Sequence, residues 1–180
     1  MSPLGEMAYK ICIFGESRVG KTTLANRYLT GYFEEDIKLT MGAEVFVKYI
    51  NIDNIRVVLQ IWDFGGEDDF KFLLPLYSKG SSGGIFMFDL SNRVSLNQID
   101  GWIEIFKKGL VSSEKKVPIL MVGGKSDLQD QIAITENEAQ NIVKEHNLYK
   151  YIECSSKTGV NVEFIFESLV RDILRFQNLF

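Results

Sequence analysis

The sequence predicts an α/β fold of three layers, with helices on both faces of a mostly parallel, six-stranded sheet that carries one antiparallel edge hairpin. Three observations predict it. Short apolar runs alternate with longer segments of helical periodicity along the chain. A glycine-rich turn joins the first apolar run to the first helical segment. The alternation breaks once, where two neighbouring strand-like runs are joined by Asp53-Asn54, a hairpin turn.

In order, residues 9–15 read as a strand and 21–29 as a helix. Residues 44–52 and 56–63 are the hairpin, and 84–89 a short buried strand. Residues 95–108 have helical spacing, with Leu96, Ile99, Ile103 and Phe106 on one side. A buried strand at 118–122 follows. Thr135 and Glu138 form a capping box that opens a helix to about residue 145. Residues 151–154 are the last strand. Asn161 starts the last helix, with Phe164, Phe166, Leu169, Ile173 and Leu174 on its inner face. No repeat or linker is visible, so one domain spanning 1–180 is expected. Ligands of such sheets bind beyond the carboxyl ends of the strands, so the loops after Phe14, Asp63, Asp89, Val122 and Cys154 are the places to look.

Composition is that of a globular protein, 46% hydrophobic and 24% charged. Twenty basic against twenty-four acidic side chains give a net charge of −4, which argues against nucleic acid as the main partner and offers no polybasic membrane signal. Cys12 and Cys154 sit in apolar runs and read as small buried hydrophobes. Residues 1–10 lack a signal core, residue 2 is Ser, and the end offers no cysteine for a lipid anchor. A cytoplasmic monomer is expected. His146, the single histidine, reads as a solvated residue at a helix end.

The strongest motif is Gly15-Glu16-Ser17-Arg18-Val19-Gly20-Lys21-Thr22, which matches G-x-x-x-x-G-K-[ST] between a strand and a helix. Glycines let the backbone curl so that N–H groups converge on phosphate oxygens, and the helix that follows points its positive end at them. Ser17, Arg18, Val19, Gly20, Lys21, Thr22 and Thr23 are the expected phosphate-binding residues. Lys21 adds a point charge, and Thr22 offers a hydroxyl to Mg²⁺. The motif specifies a nucleotide but no base, and ATPases, GTPases and small-molecule kinases share it.

Lys125-Ser126-Asp127 follows a buried strand. A carboxylate there accepts two hydrogen bonds from guanine, whose donor pair adenine lacks, and an unpaired site rejects the wrong base strongly. With Thr40, Trp62-Asp63-Phe64-Gly65-Gly66-Glu67 and Ser155-Ser156-Lys157, the chain resembles a small GTPase of the Ras superfamily, closest to the Rab-like branch, over about residues 8 to 176. The resemblance implies the G domain of a phosphate-loop NTPase that binds GTP or GDP with Mg²⁺ and acts as a switch. It implies that Thr22 and Thr40 ligate Mg²⁺, with Asp63 holding it through water, and that the Gly66 amide touches the γ-phosphate. It places Phe33 against guanine, Lys125 and Asp127 on the base, and Ser155, Ser156 and Lys157 in the loop that reads the guanine oxygen.

Two departures from the family bear on binding and hydrolysis. Gly124 stands where an Asn is usual, a loss of about 1–3 kcal/mol of hydrogen bonding. Glu67 stands where a Gln orients the attacking water. A carboxylate roughly 5 Å from the γ-phosphate meets about 3 kcal/mol of repulsion at an effective dielectric of 20, so Glu67 must protonate, swing away or act as a base. Lys21, Gly66 and Glu67 are thus the candidate catalytic residues. Ile37 replaces a common tyrosine, and Arg18 is imaginable as a built-in arginine finger but more readily points to solvent or a partner. Residues 35–42 and 64–77 flank the γ-phosphate position and are expected to loosen after hydrolysis. Val45, Trp62 and Tyr77 are expected to meet effector and regulatory proteins, with Trp62 as an exposed aromatic anchor; Leu74 and Leu76 suit either that surface or the core. A hydrolysing switch leads, and a nucleotide-holding scaffold with negligible hydrolysis stays open beside it.

Overall fold

The computed structural model describes residues 6–110 and 117–179. Six strands, β1 (Glu6–Phe14), β2 (Ala43–Ile52), β3 (Ile55–Phe64), β4 (Gly83–Asp89), β5 (Ile119–Gly124) and β6 (Lys150–Glu153), form one sheet. Their order is β2-β3-β1-β4-β5-β6. Every neighbouring pair is parallel except β2 and β3, the expected hairpin. It closes at the Ile52–Ile55 pair, with Asp53 at φ 53°, as a tight two-residue turn demands.

The period of two along each strand divides the apolar side chains between two cores. Ile11 and Ile13 of β1, with Ile85 and Met87 of β4, face α1 (Lys21–Thr30) and α6 (Val162–Phe176). Cys12, Phe14, Phe86 and Phe88 face the other side, against α4 (Ile99–Gly109) and α5 (Glu136–Glu145). Two helices not expected individually, α2 (Leu74–Ser78) and α3 (Arg93–Asn97), also contribute to this second core through Leu74 and Leu96. The capping box on α5 is present: the Thr135 hydroxyl accepts from the Glu138 amide at 3.3 Å, and the Glu138 carboxylate accepts from the Thr135 amide at 3.0 Å.

Three expectations are corrected. The helix expected over 95–108 is two helices, α3 and α4, separated at Gln98 with φ −90° and ψ 8°. Ser95 holds α3 to the end of β4, accepting from the Asp89 amide at 3.0 Å and donating to the Asn92 carbonyl at 2.7 Å. The chain then turns to lay Trp102, Ile103 and Phe106 on the sheet. Phe164 is 53% exposed, because the buried stripe of α6 runs through Val162, Ile165, Phe166, Leu169 and Ile173 at helical spacing and leaves residue 164 outside it. His146 is largely covered, with Nδ1 3.4 Å from an Asp100 oxygen on α4. Residues 68–78, to which the sequence assigned no element, form a 3-10 turn (Asp68–Leu73) running into α2, with Pro75 in the first turn of α2 where its missing N–H costs nothing. Ser2 and Phe180 lie outside the described residues. No described helix is long and apolar enough to cross a membrane.

Both cysteines are fully buried and unpaired. Burial pushes each thiol up to about 12, and the thiolate is the reactive form. A chromogenic disulfide reagent at pH 8 should therefore modify neither cysteine in the folded protein and both in denaturant. Reaction of either thiol without denaturant contradicts this packing.

Candidate functional site

The strand β1 ends at Phe14, and the loop that follows passes through Gly15 at φ 139°, Arg18 at φ 63° and Gly20 at φ 105° before α1 begins. A side chain at Gly15 would place Cβ 2.1 Å from the Met87 carbonyl oxygen, so only glycine lets the loop press against β4. Arg18 points its side chain outward and is exposed. Lys21 is 5% exposed. Its ammonium donates to the carbonyls of Gly15 at 2.9 Å and Glu16 at 2.6 Å. Burial pushes it down to about 8, so an anion arriving at the loop would restore a charge that the protein interior disfavours.

At the carboxyl end of β3, Asp63 meets two hydroxyls. Its Oδ2 accepts from Thr22 at 2.5 Å and from Thr40 at 3.3 Å, and the hydroxyls themselves are 2.8 Å apart. Its other oxygen, Oδ1, is buried with no hydrogen-bond partner among the described residues. Burial pushes the carboxyl up to about 6, although the two hydroxyls and the Lys21 charge pull it down. An orphaned carboxylate oxygen beside two hydroxyls is an all-oxygen set of the kind a hard divalent cation takes. The residues expected to hold Mg²⁺ fit it.

The opposite end of the site is also tied together. Lys125 follows β5 at φ 62° and donates to Asp89 at 2.6 Å and to the Arg18 carbonyl at 3.1 Å, so it bridges the two loops. Asp127 accepts from the Ser155 hydroxyl at 2.6 Å, and Ser155 accepts from the Thr158 amide at 3.1 Å. The Ser155 side chain is therefore a buried support that orients Asp127, within the loop after β6 that also carries Ser156 and Lys157.

Between these ends lies a cavity of about 440 Å³. Residues 17–23 line one end, Lys125, Asp127, Ser156 and Lys157 the other, and Phe33, Thr40, Gly66 and Glu67 complete its walls. Asp63 stands beneath the wall and reaches it through Thr22 and Thr40. The structure thus gathers around one cavity residues that are far apart in the sequence.

It missed others. Glu16 accepts from the indole N–H of Trp102 at 2.7 Å and from Lys71 at 3.1 Å. Lys71 also pairs with Asp68 at 2.7 Å and sits 4.6 Å above the Trp102 ring. This cluster fastens the 68–73 turn to the phosphate loop. Its one sequence signal was an acid inside a loop built for anions, which needs a nearby cation. Met87 and Asp89 also join the site from the end of β4.

The expected partner surface is redistributed. Trp62 is half-buried: its indole nitrogen is enclosed, its ring packs 5.6 Å from Tyr77, and the Lys10 ammonium lies 3.9 Å from its centroid. It is not an exposed anchor, because Lys10 and Tyr77 cover its two sides. Leu74 is core, whereas Val45 (50%), Leu76 (66%) and Phe72 (74%) are exposed.

Comparison with known proteins bears on this geometry directly. Residues 10–175 match the Ras family. The chain belongs to the Ras family. Within it, this Rab-like small GTPase is similar to the Ras-related protein Rab-11C of Dictyostelium discoideum, 33% identical over 93% of this chain and 73% of the relative. The Ras-related protein Rab-7b of Mus musculus is 33% identical over 98% of this chain and 88% of its own length. The Ras-related protein Rab-7a of Paramecium octaurelia is 30% identical, covering 95% and 84%. The Rab-like GTPase keeps a six-stranded sheet with one antiparallel pair, and its cavity lies where the phosphate loop and the loops after β3, β5 and β6 converge.

Proposed function

We propose that this Rab-like protein binds GTP with Mg²⁺, hydrolyses it slowly to GDP and inorganic phosphate, and signals the change through residues 35–42 and 64–77. The observation that carries the reading is the single cavity wall on which a phosphate loop, an oriented Asp127 and the pair Thr40 and Gly66 stand together. Asp127, held by Ser155, accepts from the donor edge of guanine. Phe33 covers the base, with Ser156 and Lys157 closing the loop around it. The amides of residues 17–23 and the Lys21 ammonium hold the phosphates. Thr22 and Thr40, with Asp63 behind them, would hold Mg²⁺, which neutralises charge on the β- and γ-phosphates.

In the reaction, water attacks the γ-phosphorus and the bond to the β–γ bridging oxygen breaks. Lys21 balances the charge that builds on that oxygen. Glu67 lies on the cavity wall directly after Gly66, where a neutral amide would orient water and a carboxylate is opposed by the phosphate's charge. Slow turnover follows from that opposition. Partners of the exposed Val45, Phe72 and Leu76 are effector or regulatory proteins. The protein works as a cytoplasmic monomer in this reading. The second reading, a scaffold that holds nucleotide without hydrolysing it, is favoured by Glu67 on the cavity wall and Gly124 at the end of β5.

Single-turnover phosphate release with Mg²⁺-GTP separates the two. Wild type is expected to release phosphate slowly, and Glu67→Gln to release it about a hundredfold faster, the lower end of what a positioned catalytic group contributes. Profiles from pH 5.5 to 8.5 should differ between the two proteins. No release by either protein selects the scaffold, and identical profiles remove Glu67 from the mechanism.

A further inference from the structure

One methyl group lies against loops from both ends of the cavity. Met87 leaves β4 toward the core shared with α1 and α6, is 1% exposed, and still forms part of the cavity wall. A Cβ built at Gly124, the last residue of β5, would lie 2.5 Å from Met87 Cε; one built at Gly20 would lie 3.5 Å from the same atom. The Val19 carbonyl oxygen is 3.3 Å from the Gly124 position. The base side and the phosphate side therefore each present a glycine to the end of one thioether. Gly20 has φ 105°, but Gly124 is not among the positive-φ residues. Its backbone gives no reason for glycine, whereas the space taken by Met87 does.

We infer that Met87 is a positioning residue for nucleotide binding: its terminal methyl, wedged between Gly124 and the phosphate loop, sets the separation of the two loops that grip opposite ends of the ligand. The inference rests on reading the cavity as a guanine-nucleotide site. Methionine suits the task, being unbranched, polarizable and able to fill an irregular gap. An atom added at Gly124 must drive Cε away. Met87 belongs to a buried core that also holds Ile85, Val122 and Cys154 and it lines the cavity, so the open space for a displaced methyl is the cavity. Because the overlap falls on the far end of a flexible side chain, the fold survives and the nucleotide bears the effect. Lys125 spans the same gap at the rim through its bond to the Arg18 carbonyl, so an apolar joint inside is paired with a polar one outside.

The test compares wild type, Gly124→Ala, Met87→Val and the double variant. Release of a fluorescent GDP analogue is measured alongside melting of each nucleotide-free protein. Gly124→Ala is expected to release about tenfold faster, the consequence of overpacking a closed site. Met87→Val, which withdraws the wedge, is expected to release several-fold faster. The double variant, in which the new methyl takes the vacated space, is expected to return to within about threefold of wild type. Unchanged release in Gly124→Ala, or simply additive effects in the double variant, overturns the inference. Failure of wild type to hold any guanine nucleotide sinks the reading of the site instead. The joint is then judged from melting alone, where recovery in the double variant supports it and additivity overturns it.

Discussion

Replacing Lys21 by methionine should weaken GTP and GDP binding by roughly a hundredfold to several-thousandfold while leaving the nucleotide-free protein at least as stable as wild type. The two halves of this expectation have one cause. The ammonium is buried and, among the described residues, held by the carbonyls of Gly15 and Glu16, and burial opposes its charge. Without ligand it is a cost to the fold; with a polyphosphate it becomes one member of a buried charge pair. Removing one partner of such a pair costs about 3–5 kcal/mol, which gives the fold-change above. Methionine keeps the aliphatic stem and the helix. Titration calorimetry and thermal melting of the two proteins check both halves. A Lys21→Met protein that binds normally, or one that fails to fold, contradicts the role assigned to this residue.

Gly66→Ala is the second large effect. A Cβ there would lie 2.3 Å from the carbonyl carbon of Glu16, 2.4 Å from the Ser17 nitrogen and 2.5 Å from the Glu16 oxygen. All three are backbone atoms of the phosphate loop, so no side chain can swing aside. On its other side the segment is fixed as well, with the Gly65 amide donating to the Gly42 carbonyl at 2.8 Å. The 65–66 backbone is pressed between the phosphate loop and the segment that carries Thr40. Overpacking of this kind costs about 1–3 kcal/mol, and in a chain of this size melting falls by roughly 2–4 °C for each of them. We expect a fall of about 5 °C and a loss of at least about tenfold in GTP hydrolysis, because the Gly66 amide, expected to touch the γ-phosphate, is pushed off the loop. Gly101→Ala is the control: it lies in α4, exposed, with nothing within 4 Å of its Cβ position. It should gain about 0.5–1 kcal/mol. Equal behaviour of the two variants contradicts the close approach at Gly66.

What the sequence made legible follows from range. The phosphate loop, the hairpin turn at Asp53-Asn54 and the capping box on Thr135 are local chemistries whose residues lie within a few positions of one another, and each stands where it was expected. The site was legible because its loops all follow apolar runs, and a parallel sheet brings the ends of such runs to one edge. Long-range contacts were not. Glu16 and Trp102 are 86 residues apart, and Glu16 and Lys71 are 55 apart; no periodicity links them. Trp62 looked like a surface anchor because only its own strand was visible, and Lys10 and Tyr77 cover it from elsewhere. Gly124 read as a lost side chain, and only the position of Met87 shows what occupies the space. Phe164 was misplaced for a different reason: a helix of 3.6 residues per turn has a narrow buried stripe, and hydrophobicity alone does not put a residue on it.

The central claim is that one cavity holds guanine at Asp127 and polyphosphate at Lys21. Competitive calorimetry of the nucleotide-stripped protein with GTP, GDP and ATP in millimolar magnesium tests it most directly. The account predicts that both guanine nucleotides bind and that ATP binds at least about a hundredfold more weakly, as expected when a half-buried, oriented carboxylate is left without its donors. Tighter binding of ATP, or no heat with either guanine nucleotide, would contradict it.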